Sequence, residues 1–399
     1  MTVPLKRMMC LCTTTIFASV LAGAPSPAPA QPAGLTAEQV LALNAARDEG
    51  KELFRQRKYR EAAQAYERAL AIDSTDAPTY FNTGLSYQAI DSTAKALRAY
   101  RSAIRVDALF GPARLAMGAL LLGNGRLKEA EETYAAITTA MPDSIQYVGA
   151  AEQGLDRVAI QYTNRAIEAS RQRRSDSAEV YIDKAMQLSP DSFRPFYVAG
   201  NIHEQEQKLD EALHHYQQAL TNAQDRTDRA KALSGIGRIK LAQARAAERN
   251  GGASTVQQLR LEGVDYLQQA VGLDSTDYSS YVNLGNTFFD LERYDDAKNA
   301  LLKAEQLNPR DYRPPLKLAE TYLKLDKCPE AEQAASRAIQ GQRANPAAHA
   351  FRAEALECLG RKQDALAEYG IVARDPRWRQ HALYKIKTIR EELGLPPQQ

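Results

Sequence analysis

The chain is poor in the residue patterns that chemistry needs. Its 399 residues include one Trp, five His and four Cys. There is no glycine-rich phosphate loop, no nucleophile elbow and no paired metal-ligand spacing. The histidines, His203, His214, His215, His349 and His381, are scattered. His214 and His215 are neighbours on a predicted helix, where successive side chains point about 100° apart, so they do not easily share a metal. All five read as structural or surface residues. Acid pairs such as Asp295-Asp296 and Glu391-Glu392 read as solvated helix faces. An excess of one charge is missing as well. The net charge is +2, with 51 basic and 49 acidic residues. A balanced chain exerts no general pull on nucleic acid or anionic lipid. The one basic run, Arg171, Arg173 and Arg174, is followed by Asp176 and Glu179 and reads as a solvated turn.

Long apolar runs are missing everywhere but at the N-terminus. Lys6 and Arg7 precede a mostly apolar stretch from Met8 to Ala24, and Ala28-Pro29-Ala30 offers a small-x-small cleavage site before Gln31. This is the layout of a secretory signal peptide, residues 1–30, and it predicts an exported, periplasmic or envelope-associated protein. A retained anchor is the lesser alternative, because the stretch is marginal for a bilayer span. Its removal takes away Lys6 and Arg7 and no acid, leaving 49 charges of each sign. Residues 25–34 are Pro/Ala-rich, and 31–42 form a short tether and the start of the first helix.

What the chain does have is a period. Gly50, Gly84 and Gly118 are spaced by 34 residues, as are Ala62, Ala96 and Ala130, and Tyr66, Tyr100 and Tyr134. The pattern returns at Ala166 and Gly200, then at Gly285, Ala319 and Ala353. Within each unit the offsets from the first mark are 12, 16 and 19, as in Gly200, Ala212, Tyr216 and Ala219. Steps of 4 and 3 put these marks on one face of a second helix. Small residues stand where helix axes approach, and larger ones fill the space between. Turn signals such as 56–59, 123–126 and 291–294 separate the two helices of a unit, and Pro78, Pro112 and Pro195 fall in first turns, where a missing N–H costs nothing. A period of this length predicts a stack of helical hairpins.

These residues resemble the tetratricopeptide repeat. Segment 281–309 is similar to its consensus at Tyr281, Leu284, Gly285, Phe288, Ala297, Leu301, Ala304 and Pro309. The resemblance runs over about residues 43–379. It implies an all-α, right-handed α-solenoid of about nine units plus a capping helix. Units one to five cover 43–226, units six to nine cover 227–379, and 380–399 holds the cap and tail. The phase slips by 14 residues between Gly118 and Ala166, which predicts a lengthened helix near 144–172. A slip of 17 between Gly200 and Gly285 includes the break at 248–255, with Gly237 in the small first-helix role.

The family commonly takes peptides or helices of partner proteins on its inner surface. Carried over position by position, the groove residues here are Phe81, Asn82, Leu85, Leu115, Leu122, Tyr197, Asn201, Val282, Asn283, Asn286 and Phe289. The amides of Asn82 and Asn283 suit a peptide backbone, because each is both donor and acceptor. The family's carboxylate clamp is incomplete: Lys51 and Asn82 fit, but Leu115 and Ala119 are apolar where it needs charge. Cys328 and Cys358 lie near the same end of neighbouring units; in an oxidising compartment a disulfide is the preferred reading, with two free thiols as the alternative. The expectation is therefore a non-enzymatic scaffold or adaptor that binds protein or peptide partners. It needs no cofactor, no metal, no nucleic acid and no small-molecule substrate, and it meets a membrane only through a partner. A subunit of an envelope glycan-assembly or export machine is the alternative.

Overall fold

The computed structural model describes residues 34–249 and 252–396. The signal segment 1–30 lies outside the described residues. All regular structure among the described residues is helical, in nineteen helices. The chain divides into two compact units, the first ending at Pro190 and the second starting at Asp191.

The first unit holds four hairpins. These are α1 (Ala37–Arg55) with α2 (Tyr59–Ile72), α3 (Ala77–Ala89) with α4 (Thr93–Val106), α5 (Gly111–Gly123) with α6 (Leu127–Ala140), and α7 (Ile145–Arg171) with α8 (Ser175–Leu188). The second unit holds five more. They are α9 (Phe193–Gln205) with α10 (Leu209–Asn222), α11 (Arg226–Glu248) with α12 (Ala253–Leu273), α13 (Tyr278–Asp290) with α14 (Tyr294–Leu307), α15 (Arg313–Lys324) with α16 (Cys328–Gly341), and α17 (Pro346–Cys358) with α18 (Lys362–Val372). A last helix, α19 (Arg379–Glu392), packs on α18.

One turn chemistry closes every regular hairpin. In the first, Arg57 is left-handed (φ 61°), its N–H donates to Phe54 O, and the N–H of Lys58 donates to Leu53 O. That pairing satisfies the last carbonyls of α1, and the chain reverses within three residues. The same bonds recur at Asp91/Ser92, Gly125/Arg126, Gln207/Lys208, Glu292/Arg293, Asp326/Lys327 and Gly360/Arg361. The residue that ends one helix's cap also starts the next helix, so the second helices begin without side-chain caps.

The core is the periodic face. Ala62, Tyr66 and Ala69, Ala212, Tyr216 and Ala219, and Ala297, Leu301 and Ala304 are all buried. A Cβ on Gly50 would meet the Tyr66 ring at 2.6 Å, and one on Gly200 the Tyr216 ring at 2.7 Å. Glycine thus lets an aromatic ring lie flat on a helix backbone. The 14-residue phase slip is absorbed by α7, a single helix of 27 residues. Its Gly154 covers the second face of the Tyr134 ring, whose first face rests on Gly118. In the second unit Gly235 closes over Tyr216 while Gly237, two residues on, packs against Leu267. At the end of that unit, α19 buries Ala382, Ile386 and Ile389 among Leu356, Tyr369 and Val372. Each buried Ile contributes about 1.5–3 kcal/mol by removal from water.

Candidate functional site

Within each unit the first helices of successive hairpins touch one another: α3 touches α5 and α5 touches α7, and α9, α11, α13, α15 and α17 do so in series. The candidate groove residues all sit on these helices.

In the first unit Phe81, Asn82 and Leu85 lie on α3, and Leu115 and Leu122 on α5, all half-buried. Phe81 is partly spoken for. Its ring centroid lies 6.0 Å from that of Tyr100 and 5.7 Å from that of Phe110, edge-on. Leu85 packs against the same buried cluster as Phe81, Leu115 and Leu122 form the more available apolar surface, and Gly123 at the end of α5 has open space where a side chain would be.

In the second unit Tyr197 and Asn201 lie on α9, and Val282, Asn283, Asn286 and Phe289 on α13. Tyr197 stacks on Phe193 with centroids 5.2 Å apart and tilts over Tyr216 at 5.7 Å. Asn201 is not free for a ligand: its Oδ1 accepts from the Tyr216 hydroxyl at 2.8 Å. That hydroxyl sits in a network which the sequence reading did not find. Its single proton is shared between Asn201 Oδ1 and Glu204 Oε2, 2.6 Å away, and Arg238 NH2 donates to the same carboxylate oxygen at 2.8 Å. Burial works to raise Glu204, but the hydrogen bonds and charge of Arg238 outweigh it and hold the carboxyl below its ordinary value. Burial pushes the Tyr216 hydroxyl up. The available signal was an opposite charge one period away, since Glu204 and Arg238 are 34 residues apart.

Asn283 and Asn286 open onto a cavity of about 310 Å³, which Leu241, Arg245, Glu248, Arg260, Thr287 and Asp290 complete. Phe289 is covered by the Lys317 ammonium 3.5 Å from its ring centroid, and Tyr294 meets it edge-on at 5.4 Å.

The two cysteines are joined. Cys328, buried at the start of α16, is bonded to Cys358, exposed at the end of α17, with Cα atoms 6.0 Å apart. Among the histidines, the rings of His203 and His215 stack at 5.0 Å, and His349 is buried with Nδ1 against Glu368. Among the described residues no cluster of three or more His, Cys, Asp or Glu is arranged to hold a metal ion, and no helix is long and apolar enough to cross a membrane.

Within each unit, hairpins stacked in order with first helices on a shared face have the arrangement of helix–turn–helix repeats in a solenoid. Family models for the TPR or tetratricopeptide repeat match residues 50–91, 91–154, 163–229, 278–311 and 316–377. The chain carries tetratricopeptide repeats. A curated relative, Hsp70-Hsp90 organizing protein 1 of Glycine max, is 32% identical over 89 residues, 22% of this chain and 16% of its own length. The chain thus spans about a sixth of the length of that relative. Among solved structures, pilF of Pseudomonas aeruginosa is similar at 17% identity, over 60% of this chain and 99% of its own, with a TM-score of 0.47. YrrB, described as a TPR protein with an unusual peptide-binding site, is similar at 21% identity over 48% and 89%, with a TM-score of 0.38.

Proposed function

We propose that this chain is a non-enzymatic protein–protein interaction scaffold of the periplasm or cell envelope, and that it takes peptide or helix segments of partner proteins on the inner face of its repeats. The observation that carries the reading is the surface of that face. Leu85, Leu115 and Leu122 in the first unit and Val282, Asn283 and Asn286 in the second keep part of their surface open on helices that touch one another. Half-exposed apolar side chains gain about 25 cal/mol per Å² when a partner covers them, and amides left without partners supply direction. The tetratricopeptide repeats add support, as does a relative whose name describes the organising of two other proteins. The export part of the reading rests on the charge and apolar pattern of residues 1–30 and agrees with a joined cysteine pair.

Two measurements test it. N-terminal sequencing of the protein from its native envelope is expected to start at Gln31; an intact N-terminus would remove the export reading. Cross-linking and pull-down from the same envelope is expected to lose its partners with Leu85→Asp, Leu115→Asp or Asn283→Ala. Unchanged recovery with all three would remove the inner face from consideration.

A further inference from the structure

The hairpin of α11 and α12 is longer than the 34-residue period requires. α13 stops at Asp290, five residues past Gly285, whereas α11 runs on to Glu248, eleven past Gly237. The extra six residues add about 9 Å at 1.5 Å per residue. This extension stands beside α13 and turns an open inner face into a walled cleft: the cavity of about 310 Å³ has Arg245 and Glu248 from the extension of α11 on one side, and Asn283, Asn286, Thr287 and Asp290 from α13 on the other. Its size is at the lower end of ligand-sized clefts.

The polar groups of the cleft are unequally occupied. Arg260 is engaged: it donates to Glu248, reaches Asp290 Oδ2 at 3.7 Å and donates to Asp290 O at 3.4 Å. The two carboxylates of the lining therefore answer to Arg260. Arg245 has no carboxylate. Its Nε donates to Leu241 O on its own helix at 3.3 Å, and the exposed side chain lines the cleft. Asn283 and Asn286 stand three residues apart on one face of α13, each amide able both to give and to take a hydrogen bond. A planar guanidinium matches a carboxylate with two parallel bonds, and a pair of amides matches the N–H and C=O of an extended main chain.

We propose that this cleft is a recognition site for an acidic side chain, Asp or Glu, in an extended segment of a partner polypeptide, with Arg245 receiving the carboxylate and Asn283 and Asn286 the main chain. The inference rests on the inner-face reading above and names its chemistry.

The test uses the full exported chain and a random dodecapeptide display library, followed by synthetic versions of the selected peptides with acetylated and amidated ends. The selected peptides are expected to share an Asp or Glu at one position. Changing that acid to its amide, or Arg245→Met in the protein, is expected to weaken Kd about tenfold, and the two changes together no further. Arg245→Glu is expected to bind the peptide bearing Lys at that position in preference to the original. Peptides whose Kd moves less than twofold with Arg245→Met while Asn283→Ala abolishes binding would overturn this proposal and leave the inner-face reading standing. A library from which the chain retains no peptide at all would overturn the inner-face reading and this proposal with it.

Discussion

Gly237 and Gly263 lie opposite each other where α11 crosses α12, so close that a Cβ on Gly237 would come within 3.1 Å of the Gly263 carbonyl oxygen, and one on Gly263 within 3.2 Å of the Gly237 oxygen. Each would also strike a leucine, Leu267 or Leu241, at 2.7 or 2.6 Å. The close crossing lets the long hairpin hold its shape beyond the regular stack, and it is therefore a condition for the cleft that Arg245 lines. Gly263→Ala is expected to destabilise the chain by about 1–3 kcal/mol, the usual cost of overpacking a core. Urea unfolding monitored by far-UV circular dichroism reads this directly; an unchanged midpoint would mean that the helices separate freely there.

The hairpin turns carry a second, opposite prediction. Arg57, Asp91, Arg173, Gln207, Glu292 and Asp326 adopt φ between 55° and 62°, whereas Gly125 and Gly360 occupy the equivalent places without strain. A side chain in this region costs about 1–2 kcal/mol, part of which a glycine gives back through its freer unfolded chain. Gln207→Gly is expected to raise stability by about 0.5–1 kcal/mol and Gly360→Ala to lower it by about 1 kcal/mol. A thermal melt in which both shift the same way would contradict the strain argument.

The Glu204–Arg238 pair, half-buried beside the Tyr216 hydroxyl, should behave as one unit. Arg238→Met leaves a carboxylate without its counter-charge and is expected to cost about 2–3 kcal/mol, while Glu204→Gln combined with Arg238→Met should cost less than the sum of the single changes. A double-mutant cycle measures the difference; strict additivity would show that the two do not interact.

Acid should loosen the second unit through His215. Burial first, and then the neighbouring charges of His203 and His214, push its imidazole down from 6.5 to about 4, against a smaller opposing effect of Glu211. Its Nδ1 is buried with no hydrogen-bond partner. In the unfolded chain the ring takes up a proton near pH 6.5, and in the fold only near pH 4, so the unfolded state binds more protons in between. Stability is therefore expected to fall as pH drops from about 6.5 toward 4, by less than the full shift implies because solvent screens the half-buried ring. His215→Phe should flatten that part of the profile relative to the parent chain, and identical slopes for the two proteins would rule the residue out.

The bond between Cys328 and Cys358 spans 30 residues of chain. A loop of that length contributes about 3–4 kcal/mol by restricting the unfolded state. The chain without residues 1–30, never exposed to reductant, is expected to show no titratable thiol, and Cys358→Ser to lose stability of that order. Two reactive thiols in the unreduced protein would contradict the pairing.

Much of the fold was legible from the sequence because its physics is local and periodic. A ring at offset 16 needs a hydrogen atom in place of a side chain at the mark, and so Gly50, Gly84 and Gly118 announce Tyr66, Tyr100 and Tyr134. The candidate groove leucines and asparagines came instead from the resemblance to the tetratricopeptide repeat, position by position. Residues that interact only across the stack were not legible. Nothing near Asn201 in the chain says that its amide oxygen already holds the Tyr216 hydroxyl, or that Phe81 leans on Phe110.

The sequence alone determined the helical hairpins, their order and the face each buries, because glycine, alanine and tyrosine at fixed offsets leave one way to pack a helix on its neighbour. The tertiary structure alone decided which of the inner-face groups remain available. Whether Arg245 is left without a carboxylate while Arg260 is doubly engaged depends on how far the long hairpin reaches beside α13. That reach follows from the close approach at Gly237 and Gly263, a distance in space that no spacing along the chain records.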